Sequence, residues 1–263
     1  MNDLRLVSAE AAASRRPPIA AFWRLCAAEA KLSWRTPVGP VLGMGLPVVL
    51  LIIFANIPMF NQANPDLGGR TVLGLYAPIL SMFALAWLGL VSLSMPLATY
   101  REQGVLRRMS TTPAPPAWVL GAELLVNLVL ALIALLLVNL GVRFFGVPAP
   151  LEVGGYVLGT VLATAAVFAM GMWIAAVART GPTANAIGQI LLYPMMFFAG
   201  LYFPREMMPD VLRHISDWTP LGAAVQALQS AMEGVFPSAR PLLVLTAYAV
   251  VFGVLAVRQF KWE

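Results

Sequence analysis

Charge is what this sequence has least of. Only 11% of its 263 residues are Asp, Glu, Lys or Arg, while 60% are hydrophobic; a soluble domain has about a quarter and about a half. A chain so short of charge cannot cover a water-facing surface, and it reads as a polytopic membrane protein. Cysteine and histidine are as scarce. Cys26 is the single cysteine and His214 the single histidine, so no internal disulfide and no Cys/His metal cluster can form. The two lysines, Lys31 after Ala30 and Lys261 after Phe260, do not follow a Gly-rich turn, so the chain holds no phosphate-binding P-loop. No catalytic residue, metal or cofactor is expected on this chain. Its net charge of +5 comes from basic residues dispersed among apolar stretches, which suits anionic lipid headgroups and not nucleic acid.

What is present is apolar and helical in period. Residues 1–18, Ala-rich and polar, are expected to be a disordered cytoplasmic tail. From 19 to 36 the pattern is amphipathic, with Ile19, Phe22, Trp23, Cys26 and Ala30 on one side and Arg24, Lys31 and Arg35 on the other. It predicts a helix lying in the headgroup layer. Over residues 37–263, six apolar stretches near the roughly 20 residues needed to cross a bilayer predict six spans. They run about Val38 to Ile57, Val72 to Ala98, Trp118 to Val142, Gly154 to Ala178, Thr183 to Tyr202 and Leu242 to Val257. The fold class is all-α. With both termini cytoplasmic, 12 of the 17 Lys and Arg residues fall inside, as the positive-inside rule requires. Glu123, the one acid within the spans, sits near the start of the third, where headgroup water and a helix N-terminus tolerate it.

The densest polar run between spans is the loop 100–116, Tyr100-Arg101-Glu102-Gln103-Gly104-Val105-Leu106-Arg107-Arg108-Met109-Ser110-Thr111-Thr112-Pro113 and onward. Gly104 permits a sharp turn. Val105, Leu106 and Met109 then share one side of a short helix, Arg107 and Arg108 the other, and Pro113 stops it. A helix with an apolar stripe flanked by charge suits docking in a partner's groove.

This run resembles the permeases of ABC-2 type transporters, whose second and third spans are joined by a motif like E-R-E-x-G-T-L-x-x-L-x-x-T-P. Arg101, Glu102, Gly104, Leu106, Met109, Thr112 and Pro113 match, while Tyr100 and Val105 stand in place of an acid and a Thr. A second match runs from Leu192 to Pro204, where Pro194 is followed by Ala199-Gly200 and Pro204, similar to the family's S-G-x-x-x-P. Between it and the sixth span, 203–238 carries two short amphipathic pieces, Met207 to Trp218 and Leu221 to Met232, too short to cross. The resemblance implies that these are re-entrant external helices. It also implies that Arg101, Glu102, Gly104, Leu106, Arg107, Met109 and Pro113 couple the chain to an ATPase.

The same resemblance implies a multi-pass permease of a bacterial plasma membrane, working with two ABC ATPase subunits that bind ATP and magnesium, and with a second permease chain, identical or similar. The chain itself is then a transport subunit, not an enzyme. Similarity to drug exporters of the daunorubicin-resistance type makes an amphipathic organic compound the first choice of cargo. A lipid, glycolipid or polysaccharide exporter, or a non-transporting immunity or sensor subunit, are the alternatives. The candidate path is the fifth span, where Asn185 and Gln189 give way to Tyr193, Phe197, Phe198 and Tyr202, a surface able to stack on a planar amphipathic molecule.

Overall fold

The computed structural model describes residues 19–35, 38–64, 69–109, 115 and 117–260. The expected tail 1–18 and the end of the loop, Thr112 and Pro113 included, lie outside the described residues. The helices are α1 (Ile19–Arg35), α2 (Val38–Ala55), α3 (Val72–Trp87), α4 (Ser94–Glu102), α5 (Val105–Met109), α6 (Ala117–Phe144), α7 (Val153–Val177), α8 (Gly181–Ala199), α9 (Asp210–Trp218), α10 (Pro220–Met232) and α11 (Ala239–Gln259). A minimal antiparallel pair, β1 (Ala63–Asn64) with β2 (Arg70–Thr71), is the one exception to an all-α architecture among the described residues.

Helix starts are set by side chains that accept from otherwise free first-turn amides. Thr71 accepts from Gly74 N at 3.1 Å to begin α3, and Glu152 from Gly155 N at 3.1 Å to begin α7. Thr180 accepts from Thr183 N, and Thr219 from Gly222 N, both at 3.2 Å, to begin α8 and α10. α8 ends at Gly200, whose φ of 96° is the left-handed cap that glycine adopts without strain.

Among the described residues, four helices are long and apolar enough to cross a membrane: Val72–Glu102 taken through α3 and α4, then α6, α7 and α11. α1 and α2 qualify together as a bent pair. α8, which the sequence reads as the fifth span, is not among them, because Asn185, Gln189, Pro182 and Pro194 dilute its apolar content.

Val72–Glu102 is the spine. Leu93 N–H bonds to Leu88 O at 3.0 Å, so Leu88–Ser92 forms a π turn between α3 and α4. Almost every side chain from Leu73 to Leu93 is buried. Three neighbours approach the turn through glycine. A Cβ on Gly43 of α2 would lie 2.9 Å from Leu88, and one on Gly188 of α8 would lie 2.5 Å from Leu90 O. A Cβ on Gly171 of α7 would collide with Gly89 O. Between membrane helices, where lipid is as apolar as leucine, such backbone approach is a main source of packing energy. The Gly39/Gly43 and Gly155/Gly159 spacings make close contacts too, with Ser92, Leu88, Pro237 and Leu228.

The segment after α8 departs in detail from its reading as helical from Met207. Arg205–Met207 is a single 3-10 turn and Met208 is buried; α9 starts only after Pro209. α9 exposes Val211, Ile215 and Trp218, as an interfacial helix does, whereas α10 is buried against α3, α7, α8 and α11. Arg205 holds the junction: it donates to Gly222 O at 2.5 Å and pairs with Asp217, which also pairs with Arg240 at 3.0 Å.

Gly188→Val is expected to lower the stability of the detergent-purified protein by about 1–3 kcal/mol, the usual cost of overpacking. Gly253→Ala, whose Cβ meets open space, should leave it unchanged or slightly raised. Equal thermal unfolding midpoints for the two variants would contradict the packing described.

Candidate functional site

The corner that opens the loop 100–116 is built by backbone geometry. α4 ends at Glu102, its carbonyls are closed by Gln103 N and Gly104 N, and Gly104 adopts φ 65° with nothing near its missing Cβ. The left-handed turn alone therefore calls for glycine there. α5 follows at once, its Arg108 N bonding back to Gly104 O at 3.0 Å. Leu106 and Arg107 lie within α5, Val105 and Met109 are half-buried, and Arg108 is exposed with its guanidinium on Gln103 O at 3.2 Å. Pro113 lies outside the described residues.

Arg101 and Glu102 turn away from α5 and toward the junction of α7 and α8. The Arg101 guanidinium donates to Ala176 O at 2.5 Å and to Ala178 O, the free carbonyls at the C-terminal end of α7. Glu102 Oε2 accepts from Gly181 N at 3.1 Å in the first turn of α8. A cation meets the negative pole of one helix and an anion meets the positive pole of the next. Gly181 also lies too close to Thr99 Oγ1 for any Cβ. The α7–α8 turn is thus fastened to the last turn of α4, and a displacement of the loop is carried to three helices together. The resemblance assigns these two residues to coupling; their polar atoms are engaged within the chain.

Sequence reasoning missed a second set of contacts at this corner. Tyr100 donates its hydroxyl to Glu29 Oε2 of α1 at 2.6 Å, and Glu29 is buried. α1 therefore has a protein-facing side, Phe22, Cys26 and Glu29, packed on α6 with Phe22 edge-on to Trp118 at 5.7 Å. The apolar face read as one surface divides: Ile19, Trp23 and Ala30, with Trp34, remain exposed. Glu123 is likewise buried and not bathed by headgroup water. An acid three residues after Cys26 is the one signal the sequence carries for the inward side of α1.

The candidate path on α8 is partly assembled. Gly181, Ala184, Gly188, Leu192, Met195 and Met196 face inward. Asn185, Gln189 and Tyr193 follow one another along the outer face, beside Pro182, Ala186 and Ile190, around an open concavity of about 400 Å³. Gln189 Nε2 donates to Asn185 Oδ1 at 3.0 Å. Phe197 continues the stripe one turn on; Phe198 is edge-on to it at 5.4 Å on a different flank, and both are half-buried. Tyr202 stands beyond the Gly200 cap, exposed and off the helix. A larger cleft of about 570 Å³ between α6 and α7, with Leu128, Leu132, Val161 and Phe168 in its walls, has almost no polar lining.

Removing the carboxylate with Glu102→Ala should free the Gly181 amide, at a cost of about 1 kcal/mol or roughly five-fold faster hydrogen exchange over 178–184. Unchanged exchange in that peptide would sever the link between the loop and α8.

Residues 20–232 match the ABC-2 type transporter family. The inner membrane transport permease YhhJ of Escherichia coli (strain K12) is 26% identical over 208 residues, covering 75% of this chain and 54% of that protein, and YhhJ of Shigella flexneri gives the same figures. The putative transport permease YvfS of Bacillus subtilis (strain 168) is 23% identical over 213 residues, covering 80% of this chain and 85% of that one. The chain spans about half the length of the two YhhJ proteins. With the family matching over most of its length and several helices apolar enough to span a bilayer, the chain belongs to the ABC-2 type transporter family of membrane permeases.

Proposed function

We propose that this chain is the membrane-spanning subunit of an ATP-driven exporter that moves an amphipathic organic compound out of a bacterial cell. α2, Val72–Glu102, α6, α7, α8 and α11 are its six crossings, both termini and the loop 100–116 are cytoplasmic, and α9 and α10 lie at the outer side. Hydrolysis takes place on two ATPase subunits that bind ATP and magnesium, and a second permease chain, identical or similar, completes the path.

The observation that carries this reading is the fastening of the α7–α8 turn to the loop by Arg101 and Glu102. A partner that docks on α5 and moves it drags the bases of α4, α7 and α8 as a body, the kind of rigid shift that alternates access. Among the described residues, no helix covers Asn185 and Gln189 on the outer face of α8. Polar groups on a membrane-facing surface need either a neighbouring chain or a wet path beside them. Beside them, Tyr193 and Phe197 supply aromatic surface for a planar cargo. The polar-then-aromatic order favours an amphipathic molecule over a polysaccharide, which needs hydroxyl-matching groups along its whole length.

Inside-out vesicles bearing the native complex should accumulate planar amphipathic dyes when ATP is supplied. Phe197→Ala or Tyr193→Ala is expected to change the ranking of dyes several-fold while ATP hydrolysis persists, because one lost aromatic contact is worth about 1 kcal/mol. The same ranking and rates for both variants would remove α8 from the path, and accumulation of no amphipathic compound would overturn the choice of cargo.

A further inference from the structure

The cleft of about 570 Å³ lies between α6 and α7, two helices long and apolar enough to span a bilayer. Its walls are uneven. α6 contributes Leu124, Leu128, Leu132 and Leu135, whereas the facing turns of α7 contribute smaller residues such as Ala165 and Ala169. Each helix packs on the spine Val72–Glu102 and scarcely on the other, so the small side of α7 leaves a slot where a contact would otherwise form. Ala131 and Phe168, both buried, make its floor. Phe168 in turn stands against the π turn, where a Cβ on Gly89 would lie 3.0 Å from its ring.

The length and closure of the slot decide what fits. From Leu124 to Leu135 it runs about 16 Å at the helical rise per residue, close to half of the roughly 30 Å hydrocarbon core. One turn beyond Leu135 on α6, and one turn before Thr160 on the antiparallel α7, Tyr156 donates to Asn139 Oδ1 at 2.8 Å. Among the described residues this is the only hydrogen bond between the two helices, and it shuts the slot at that end. A spanning helix of another chain would run the full thickness and meet this bridge. Water finds no partners inside: the Thr160 and Thr164 hydroxyls donate to Tyr156 O and Thr160 O at 2.8 and 2.7 Å, and a buried water needs roughly two to four polar neighbours. Left unfilled, the slot would forfeit dispersion contacts along its whole lining.

We propose that the α6–α7 slot holds one acyl chain of a membrane phospholipid, laid over Phe168 with its methyl end toward the Tyr156–Asn139 bridge. A flexible tail one leaflet long matches the slot in length, polarity and closure. The headgroup then stands on the side of the membrane where α6 begins. That this side is cytoplasmic rests on the orientation proposed above, whereas the occupancy does not. The tail backs Phe168 where it leans on Gly89, so the bound lipid completes the packing around the π turn.

The full chain is extracted from membranes in mild detergent, washed free of bulk lipid and weighed by native mass spectrometry. One phospholipid per chain is expected to remain, its mass distinguishing it from a free fatty acid. Ala165→Trp, on the exposed rim of the α7 wall, and Leu132→Trp, on the opposite wall, fill the slot independently. Each should lower the retained fraction by roughly ten-fold, about 1.4 kcal/mol of lost affinity. Leu140→Trp, as exposed as Leu132 but beyond the bridge, should retain the lipid. Dioleoyl phosphatidylglycerol added back to the washed protein should raise the thermal unfolding midpoint of the unaltered chain and of Leu140→Trp, and not that of the filled variants. No phospholipid on the unaltered chain, undiminished retention or stabilisation in the filled variants, or a second copy of the chain that the filled variants release would overturn the proposal. None of these readouts depends on transport or on an ATPase.

Discussion

Everything else in the molecule depends on how closely backbones approach at the π turn of Val72–Glu102. The extra residue there swings the carbonyls of Gly89 and Leu90 outward, and α7 and α8 meet them with Gly171 and Gly188. Lipid offers helices no hydrophobic incentive to associate, so contact distance decides which of them pack. With a Cβ at either glycine, α7 or α8 would have to stand off and the α10 segment packed against both would lose its seat. The tie made by Arg101 and Glu102 fastens the same two helices to the same spine at its other end. Two separated attachments to one helix make a lever, through which the partner proposed above would move the membrane portion.

Charge is placed with the same economy that its scarcity suggests. Arg101 and Glu102 cap helix poles, and Arg205 and Arg240 share Asp217 where α9, α10 and α11 converge. Inside the bundle one group of polar side chains is mutually bonded: Tyr156 donates to Asn139 Oδ1 at 2.8 Å, and Asn139 reaches Ser81. Two further places hold polar groups against an apolar setting. One is the outer face of α8, whose Asn185 and Gln189 bond to each other and otherwise look outward; the other is the packing of α1 on α6, where Glu29 and Glu123 are buried. Buried or membrane-facing polar groups are retained at a cost, and the outer face of α8 carries the functional proposal.

Much of the fold is legible from residues alone because it is set locally. Apolar runs mark α3, α6, α7 and α11, the amphipathic pattern marks α1, and Gly104 marks the left-handed turn before a short helix. The rest depends on partners far away in the chain. Nothing near Gly171 or Gly188 announces that a carbonyl from residue 89 or 90 will lie against it, and a π turn has no composition of its own. Glu123 looks like an acid at a wet helix end until α1 packs on α6 and Glu123 is buried. Arg101 and Glu102 are conspicuous as charges, yet only the folded chain shows that they hold α7 and α8.

The central claim is that the loop 100–116 is where an ATP-hydrolysing partner takes hold. It is tested by purifying the chain from its source membrane in mild detergent and identifying its companions by mass spectrometry, beside a Met109→Asp variant that charges the apolar side of α5. The account predicts an ATPase subunit in near-stoichiometric amount with the unaltered chain and its loss from the variant, which still reaches the membrane. An unaltered chain that emerges without any ATPase, or a variant that retains it in full, would contradict the account.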